Sequence, residues 1–256
     1  MILFIGSTLS ACLKPRTDAN DTDTSLAQNY SYVEQNNNEI NNIIIEVIEK
    51  DTITSLKTSE AGDLLSNCVD FKKTISQDTI TVVVDFGSNN CLCADQKYRR
   101  GKIIIKALSD KNWARAYTEN FYVNDNLIEG NRTITRSSLL EVTVSGDTKV
   151  TFGDTAAISE SFNRSILFSE GVLTNDPNDD VFSITGTTSG ICKKGPYTTK
   201  ILSPLKRKRN CTNIVSGVLE IALEKKAKRL IDFGNGECDN VVTLSIGNYS
   251  KIIALQ

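Results

Sequence analysis

The chain has 256 residues, of which 39% are hydrophobic and 23% charged, and its formal net charge is −2. This length suits one large or two small folded domains, and the charge gives no reason to expect nucleic acid as a partner. Histidine is absent, so the commonest general base and the commonest transition-metal ligand are missing. Cys91 and Cys93 have neither the spacing nor the second close pair of a structural zinc site, and we predict no cofactor and no metal.

The N-terminus has the pattern of an export signal. Residues 1–11, MILFIGSTLSA, combine an apolar run with small residues. Residues 9–12, LSAC, resemble the lipobox of bacterial lipoproteins, and this resemblance implies cleavage before Cys12 and lipidation of Cys12. No Lys or Arg precedes the run, which a start codon placed too far downstream would explain; the alternative interpretation is a buried N-terminal strand.

A polar tether and one helix are predicted next. Residues 12–25 lack apolar periodicity, as expected for a tether that follows the lipidated cysteine. Over residues 26–50, apolar residues recur at steps of three and four, which predicts an amphipathic helix. Three consecutive asparagines, Asn36 to Asn38, disfavour a coiled coil, so we expect this helix to pack against the chain's own sheet.

From about residue 65 to residue 256 the sequence predicts a β-rich domain. Runs rich in Val, Ile, Thr, Tyr and Phe alternate with turn residues, and no spacer is long enough for a parallel crossover. The predicted fold is therefore mainly β: a large antiparallel meander sheet, either one curved sheet or a sandwich, covered by the N-terminal helix. The predicted strands span 67–74, 79–86, 100–107, 114–123, 127–135, 139–145, 148–152, 160–168, 181–189, 196–203, 212–222, 227–233, 240–246 and 250–255.

Local patterns refine this sheet. Tight turns are predicted at 124–126, 145–147 and 246–248, the last two containing a glycine. The stretch 131–136, NRTITR, alternates Thr and Ile between two arginines and predicts one exposed polar face.

A repeated stretch indicates two related units, at about 67–108 and 210–256. Residues 85–91 read DFGSNNC and residues 232–238 read DFGNGEC, each with a further cysteine upstream. Six cysteines after Cys12 allow 15 pairings, and the repeat favours Cys68 with Cys91 and Cys211 with Cys238. The remaining two, Cys93 and Cys192, either bridge the units or stay unpaired.

The repeated DFG has a structural interpretation. Protein kinases use this triplet to bind magnesium, but their catalytic loop needs a histidine, which this chain lacks. We expect Phe86 and Phe233 to anchor strand ends, and Asp85 and Asp232 to cap the following turn through backbone N–H groups.

Two charged stretches are interpreted as solvated surface. Residues 175–180, NDPNDD, resemble only the first five positions of an EF-hand loop, so an exposed turn is predicted rather than a calcium site. Residues 206–209, KRKR, predict a solvated hairpin tip rather than a polyanion site.

Several segments together resemble a family of uncharacterised β-rich lipoproteins of Gram-negative bacteria. They are VVVDFGSNNCLCADQKYRRGKIIIK (82–106), ENFYVNDNLIEGNRTIT (119–135), FSITGTTSG (182–190), NCTNIVSGVLEIAL (210–223) and IDFGNGECDN (231–240). The first motif is matched by Asp85, Cys91, Asp95, Arg99, Gly101 and Lys102. The resemblance implies an exported, lipid-anchored β protein and carries no activity with it.

The sequence thus predicts a cell-envelope protein anchored in the outer membrane, on either face, through lipid at Cys12. We expect a non-enzymatic binding or structural protein whose ligand is a lipid, a glycan or a protein. An apolar concavity would favour a lipid, and a flat polar face would favour protein or glycan. The alternative is an envelope hydrolase with paired Asp or Glu carboxylates of raised pKa in a cleft. If a functional surface exists, we expect it between the two units, in strands 114 to 203.

Overall fold

The computed structural model describes residues 21–49, 68–153, 156–171, 173–174, 176 and 179–255. Within these residues it contains one helix, α1, and fourteen strands. Their bounds are α1 Ser25–Glu49, β1 Asp70–Ser76, β2 Thr79–Asp85, β3 Cys91–Leu92, β4 Tyr98–Leu108, β5 Trp113–Val123, β6 Asn126–Ser138, β7 Glu141–Phe152, β8 Ala156–Glu170, β9 Val181–Cys192, β10 Gly195–Lys208, β11 Ile214–Leu223, β12 Arg229–Asn235, β13 Val241–Ile246 and β14 Tyr249–Ala254.

The strands form one antiparallel meander sheet, as predicted. Each strand pairs with its neighbours in the chain, except that β2 pairs with β4 and the short β3 lies beside β4. The sheet is open, with β1 and β14 at its two edges. Of the two predicted arrangements, the curved sheet is confirmed, because the strands form one sheet and α1 is hydrogen-bonded to both β4 and β10.

Helix α1 lies inside the curve of this sheet. Its predicted apolar stripe is buried, and its polar residues from Glu34 to Asn38 are buried as well. The apolar stripe predicts the burial of the apolar side chains but not that of the polar ones. The opposite side of α1 is buried because the sheet continues around it, so that the helix fills the concavity.

The predicted tether is wrong at its C-terminal end. Asp21 forms an ion pair of 2.6 Å with the buried Arg229 of β12, and Thr24 is buried just before the helix begins. A buried guanidinium needs an anionic partner, and Asp21 supplies it. Asp21 and Thr24 are therefore packed against the folded domain, whereas residues 1–20 are outside the described residues.

The predicted turn at 145–147 is also wrong, because β7 continues through it. Gly146 pairs with Arg132 on β6 and with Phe162 on β8, and its φ is not positive. A Cβ atom at this position would lie 2.2 Å from the carbonyl oxygen of Asn131 and 2.7 Å from the Cα of Arg132. The glycine thus permits the close approach of β7 to β6. The turns at 124–126 and 246–248 are confirmed, with positive φ at Asn124 and Gly247.

The two repeated stretches share one contact between aspartate and glycine, although β2 ends at Asp85 whereas β12 continues to Asn235. Phe86 and Phe233 are buried, and the carboxylates of Asp85 and Asp232 accept the N–H groups of Gly87 at 3.0 Å and Gly234 at 2.9 Å. This confirms the predicted anchoring and capping. Each unit is closed by a predicted disulfide, Cys68–Cys91 in the first and Cys211–Cys238 in the second.

Candidate functional site

The interior contains a layer of arginines between the sheet and α1. Every second strand from β4 to β12 contributes one buried arginine. They are Arg99, Arg132, Arg164, Arg207 and Arg229. In the stretch 131–136, Arg132 is therefore inside with Ile134, while Asn131, Thr133 and Thr135 form the predicted polar outer face.

Polar groups of α1 accept hydrogen bonds from four of these arginines; the fifth, Arg229, donates to Asp21, which precedes the helix. Arg164 donates to the carboxylate of Glu34 at 2.9 Å, and the hydroxyl of Tyr30 donates to the same oxygen at 2.9 Å. Arg132 donates to the backbone carbonyl of Asn37 at 3.1 Å and to the side chain of Asn41 at 2.9 Å. These bonds fix the rotation and the axial position of the helix in the sheet, because each of them requires one particular face of α1.

A second cluster lies where α1 meets β4. Arg99 contacts both Glu39 of the helix and Asp95, and Lys97 lies 2.7 Å from Glu39. Burial raises the pKa of Glu39, but the two cations outweigh it and lower that pKa to about 2. Glu39 is therefore ionised at neutral pH and holds the helix to the sheet.

Two carboxylates converge in this layer, Glu34 and Glu160. Asn37 donates to Glu160 at 2.7 Å and Tyr197 donates to it at 3.0 Å. Burial and the nearby charge of Glu34 raise the pKa of Glu160 to about 7. Glu160 thus has the raised pKa that the hydrolase hypothesis requires, but the side chains of both Glu34 and Glu160 are buried between α1 and the sheet. The hydrolase stays an alternative prediction.

The outer face of β6 to β9 has a different character. Its residues alternate with the buried ones, and neighbouring strands place them in three transverse rows. We call this surface the polar array; it consists of Asn131, Asp147, Ser161 and Ser189 in the first row, Thr133, Ser145, Asn163 and Thr187 in the second, and Thr135, Thr143, Ser165 and Thr185 in the third. None of these residues is buried. Side chains of the array are therefore roughly 4.8 Å apart from strand to strand and roughly 6.7 Å apart from row to row along each strand.

A groove of about 610 Å³ opens at the first row of the array. Asp147, Ser161 and Ser189 line it together with Lys149 and Glu129, which form an ion pair of 3.0 Å. The groove is also bordered by Gly130 and Gly190, where the absence of a side chain lets the strands approach closely. The groove and the array lie between the two repeated units, in the range where the sequence predicted a functional surface.

Sequence reasoning missed the array as a surface. Its residues are ordinary Ser, Thr and Asn in separate strands, and only the register brings them into rows. The signal that could have found it is the recurrence of Ser or Thr at alternate positions in several consecutive strands.

The predicted cysteine sites divide into two groups. Cys12 and the signal segment 1–11 lie outside the described residues. Cys93 is buried and Cys192 half-buried, and neither forms a disulfide. Burial raises the pKa of the Cys93 thiol, so this side chain is held in its neutral form. The sequence left open whether Cys93 and Cys192 form a disulfide or stay unpaired, and in the structure both are free thiols.

The basic run 206–209 is not a solvated tip. Arg207 is buried and donates to Asn42 of α1 at 2.7 Å, and Arg209 pairs with Asp180 at 2.6 Å. Both guanidinium groups lie against the ring of Phe182. The prediction was wrong because the alternation of β10 directs Arg207 inward, where α1 offers polar partners.

The acidic stretch 175–180 is described only in part. Asp176 and Asp179 are exposed, while Asp180 is buried against Arg209. Among the described residues, no group of three or more Asp, Glu or Cys is arranged to hold a metal ion.

Comparison of the chain with protein-family models, with curated proteins and with solved structures finds no match. The resemblance to exported lipoproteins therefore stays a prediction from the residues. Within the described part of the chain, no helix is both long and apolar enough to cross a membrane.

Proposed function

We propose that this protein is an exported cell-envelope lipoprotein that binds glycans through the polar array, without catalysing a reaction. The array is the observation that supports this proposal. Its hydroxyl and amide groups are both donors and acceptors, as the hydroxyl groups of a sugar are. A lipid would need an apolar concavity, and α1 occupies the concave side of this sheet.

Two further observations support export. The disulfides Cys68–Cys91 and Cys211–Cys238 belong to proteins of oxidising compartments such as the periplasm or the cell surface. The sequence before the helix has an apolar run ending in a lipobox-like LSAC. Lipid on Cys12 would anchor the protein in the outer membrane, on either of its faces.

The anchor is tested by metabolic labelling with a radioactive fatty acid. We expect the wild-type chain to be labelled and the variant Cys12→Ala to remain unlabelled. Equal labelling of both would refute the lipoprotein assignment and would leave the glycan proposal to its own test.

Glycan binding is tested with the detergent-solubilised full chain on immobilised polysaccharides. The variant Ser145→Ala/Asn163→Ala removes two polar groups from the central row. Each lost hydrogen bond costs about 0.5–1.5 kcal/mol, so we expect roughly tenfold weaker binding. The control Thr243→Ala/Ser245→Ala changes two outward residues of β13 and should bind as the wild type does. Equal loss in both variants, or binding of a protein instead of any polysaccharide, would contradict the proposal.

A further inference from the structure

Two cations face each other on the outer surface beside the polar array. Lys106 on β4 and Arg115 on β5 are directly opposed in the register, and both are exposed. On the same pair of strands, Arg100 lies 2.6 Å from Asp125 and Lys102 lies 3.5 Å from Asp85. Among the described residues, by contrast, neither Lys106 nor Arg115 has an acidic partner.

The two opposed cations repel each other, and among the described residues no acidic side chain balances that repulsion. Like charges directly opposite each other across two strands are destabilising, and neither side chain contributes to the buried layer. An anionic group placed between them would remove the repulsion. The lysine supplies a compact positive charge and the guanidinium a planar fork of donors that matches a carboxylate or sulfate.

The cation pair is continuous with the central row of the array. Arg115 is paired with Thr133 across β5 and β6, and the row proceeds through Ser145, Asn163 and Thr187. The next position in this row is Lys200, which is also exposed. Glu220 of β11 lies opposite Lys200. A chain lying along the row would therefore meet the hydroxyl groups of the array and then unbalanced positive charge at the end formed by Lys106 and Arg115.

We propose that the ligand of the polar array is an anionic glycan, whose carboxylate or sulfate group binds between Lys106 and Arg115. The inference rests on the proposed glycan binding and adds the chemical class of the glycan. Charge complementarity at this point gives specificity, because a neutral glycan would leave the two cations unpaired.

The test compares polygalacturonate with its methyl ester, which has the same backbone without the charge. The variant Lys106→Gln/Arg115→Gln is compared with Lys206→Gln/Lys225→Gln, which removes two exposed lysines that are paired with Glu170 and Glu224. We expect the first variant to bind polygalacturonate at least tenfold more weakly than the wild type and the ester unchanged. The control variant should retain wild-type binding of both polymers. Thermal melts should show the first variant to be no less stable than the wild type.

Three results would overturn the inference. If the wild type bound both polymers equally and the cation variant did the same, the ligand would be a neutral glycan and the proposed function would stand. If the two variants weakened polygalacturonate binding equally, the effect would be one of net charge alone. If vesicles of phosphatidylglycerol bound more tightly than the polymer through the same two residues, the cations would serve a membrane surface. Loss of all polysaccharide binding, in contrast, is the failure of the proposed function itself.

Discussion

At the scale of single residues, Glu160 links the interior layer to pH. Its pKa is about 7 in the folded protein against a reference value of 4.5, because burial and Glu34 disfavour its charge, while Tyr197, Arg164 and Asn37 favour it. Between these two pH values the folded state holds a proton that the unfolded state has released. The stability that the raised pKa of Glu160 contributes is therefore fully present below about pH 4.5 and is lost as the pH rises through about 7.

We expect Glu160→Gln to remove this contribution. The amide retains an acceptor for Asn37 and can donate to the hydroxyl of Tyr197, but it does not titrate. From pH 5 to pH 8 the free energy of unfolding in urea should fall further in the wild type than in the variant. The difference between the two falls should be on the order of 2–3 kcal/mol. Measurement at both pH values with each protein gives this difference directly. An identical pH dependence for the two proteins would contradict a raised pKa at this residue.

At the scale of the elements, α1 depends on buried ion pairs as well as on apolar contacts. Glu34 and Arg164 have side-chain exposures of 2% and 4%, so removing one partner leaves the other charged and enclosed. Such an uncompensated charge costs about 3–5 kcal/mol, whereas replacing both partners by apolar groups is often nearly neutral.

A double-mutant cycle tests this dependence. We expect Glu34→Leu alone and Arg164→Leu alone each to lower the free energy of unfolding by about 3–5 kcal/mol. The combination Glu34→Leu/Arg164→Leu should recover most of that loss, because no unpaired charge remains. The exposed pair Lys149 and Glu129 is the matched control, and its disruption by Glu129→Ala should cost less than about 1 kcal/mol. If the double variant were as unstable as the sum of the single ones, the pair would not act as a unit.

The sequence predicted the elements better than it predicted their environment. The apolar stripe of α1, most strand positions and both disulfides follow from periodicity and from the repeat, because each is a local pattern. The inward direction of Arg132 and Arg207 does not, since alternation gives two faces and hydrophobicity alone assigns arginine to solvent. Gly146 was taken for a turn residue, because the sequence does not distinguish a glycine needed for positive φ from one needed for close strand approach. The rows of the polar array depend on register across four strands, which no single segment encodes.

At the scale of the whole molecule, the sheet is an open row of strands, and each strand pairs only with its neighbours in that row. One disulfide lies near each end of the row. Cys68 and Cys91, near the β1 end, are 23 residues apart in the sequence. Cys211 and Cys238, near the β14 end, are 27 residues apart. The edge strands β1 and β14 each have one partner strand. Edge units of this kind are the first to open in a sheet whose strands pair only with neighbours, so each bridge stabilises the end in which it lies.

We expect Cys211→Ser/Cys238→Ser to lower the free energy of unfolding by about 3–4 kcal/mol, the value for a loop of this length. Peptide mapping without reductant first verifies that the remaining bridge is intact, and Cys192→Ser, which breaks no disulfide, is the control. Amide hydrogen exchange should accelerate in β12 to β14 and remain unchanged in β1, β2 and β4, because no strand of one end pairs with a strand of the other. Uniform acceleration over the whole sheet would mean instead that α1, which contacts strands from β4 to β12, couples both ends into one cooperative unit.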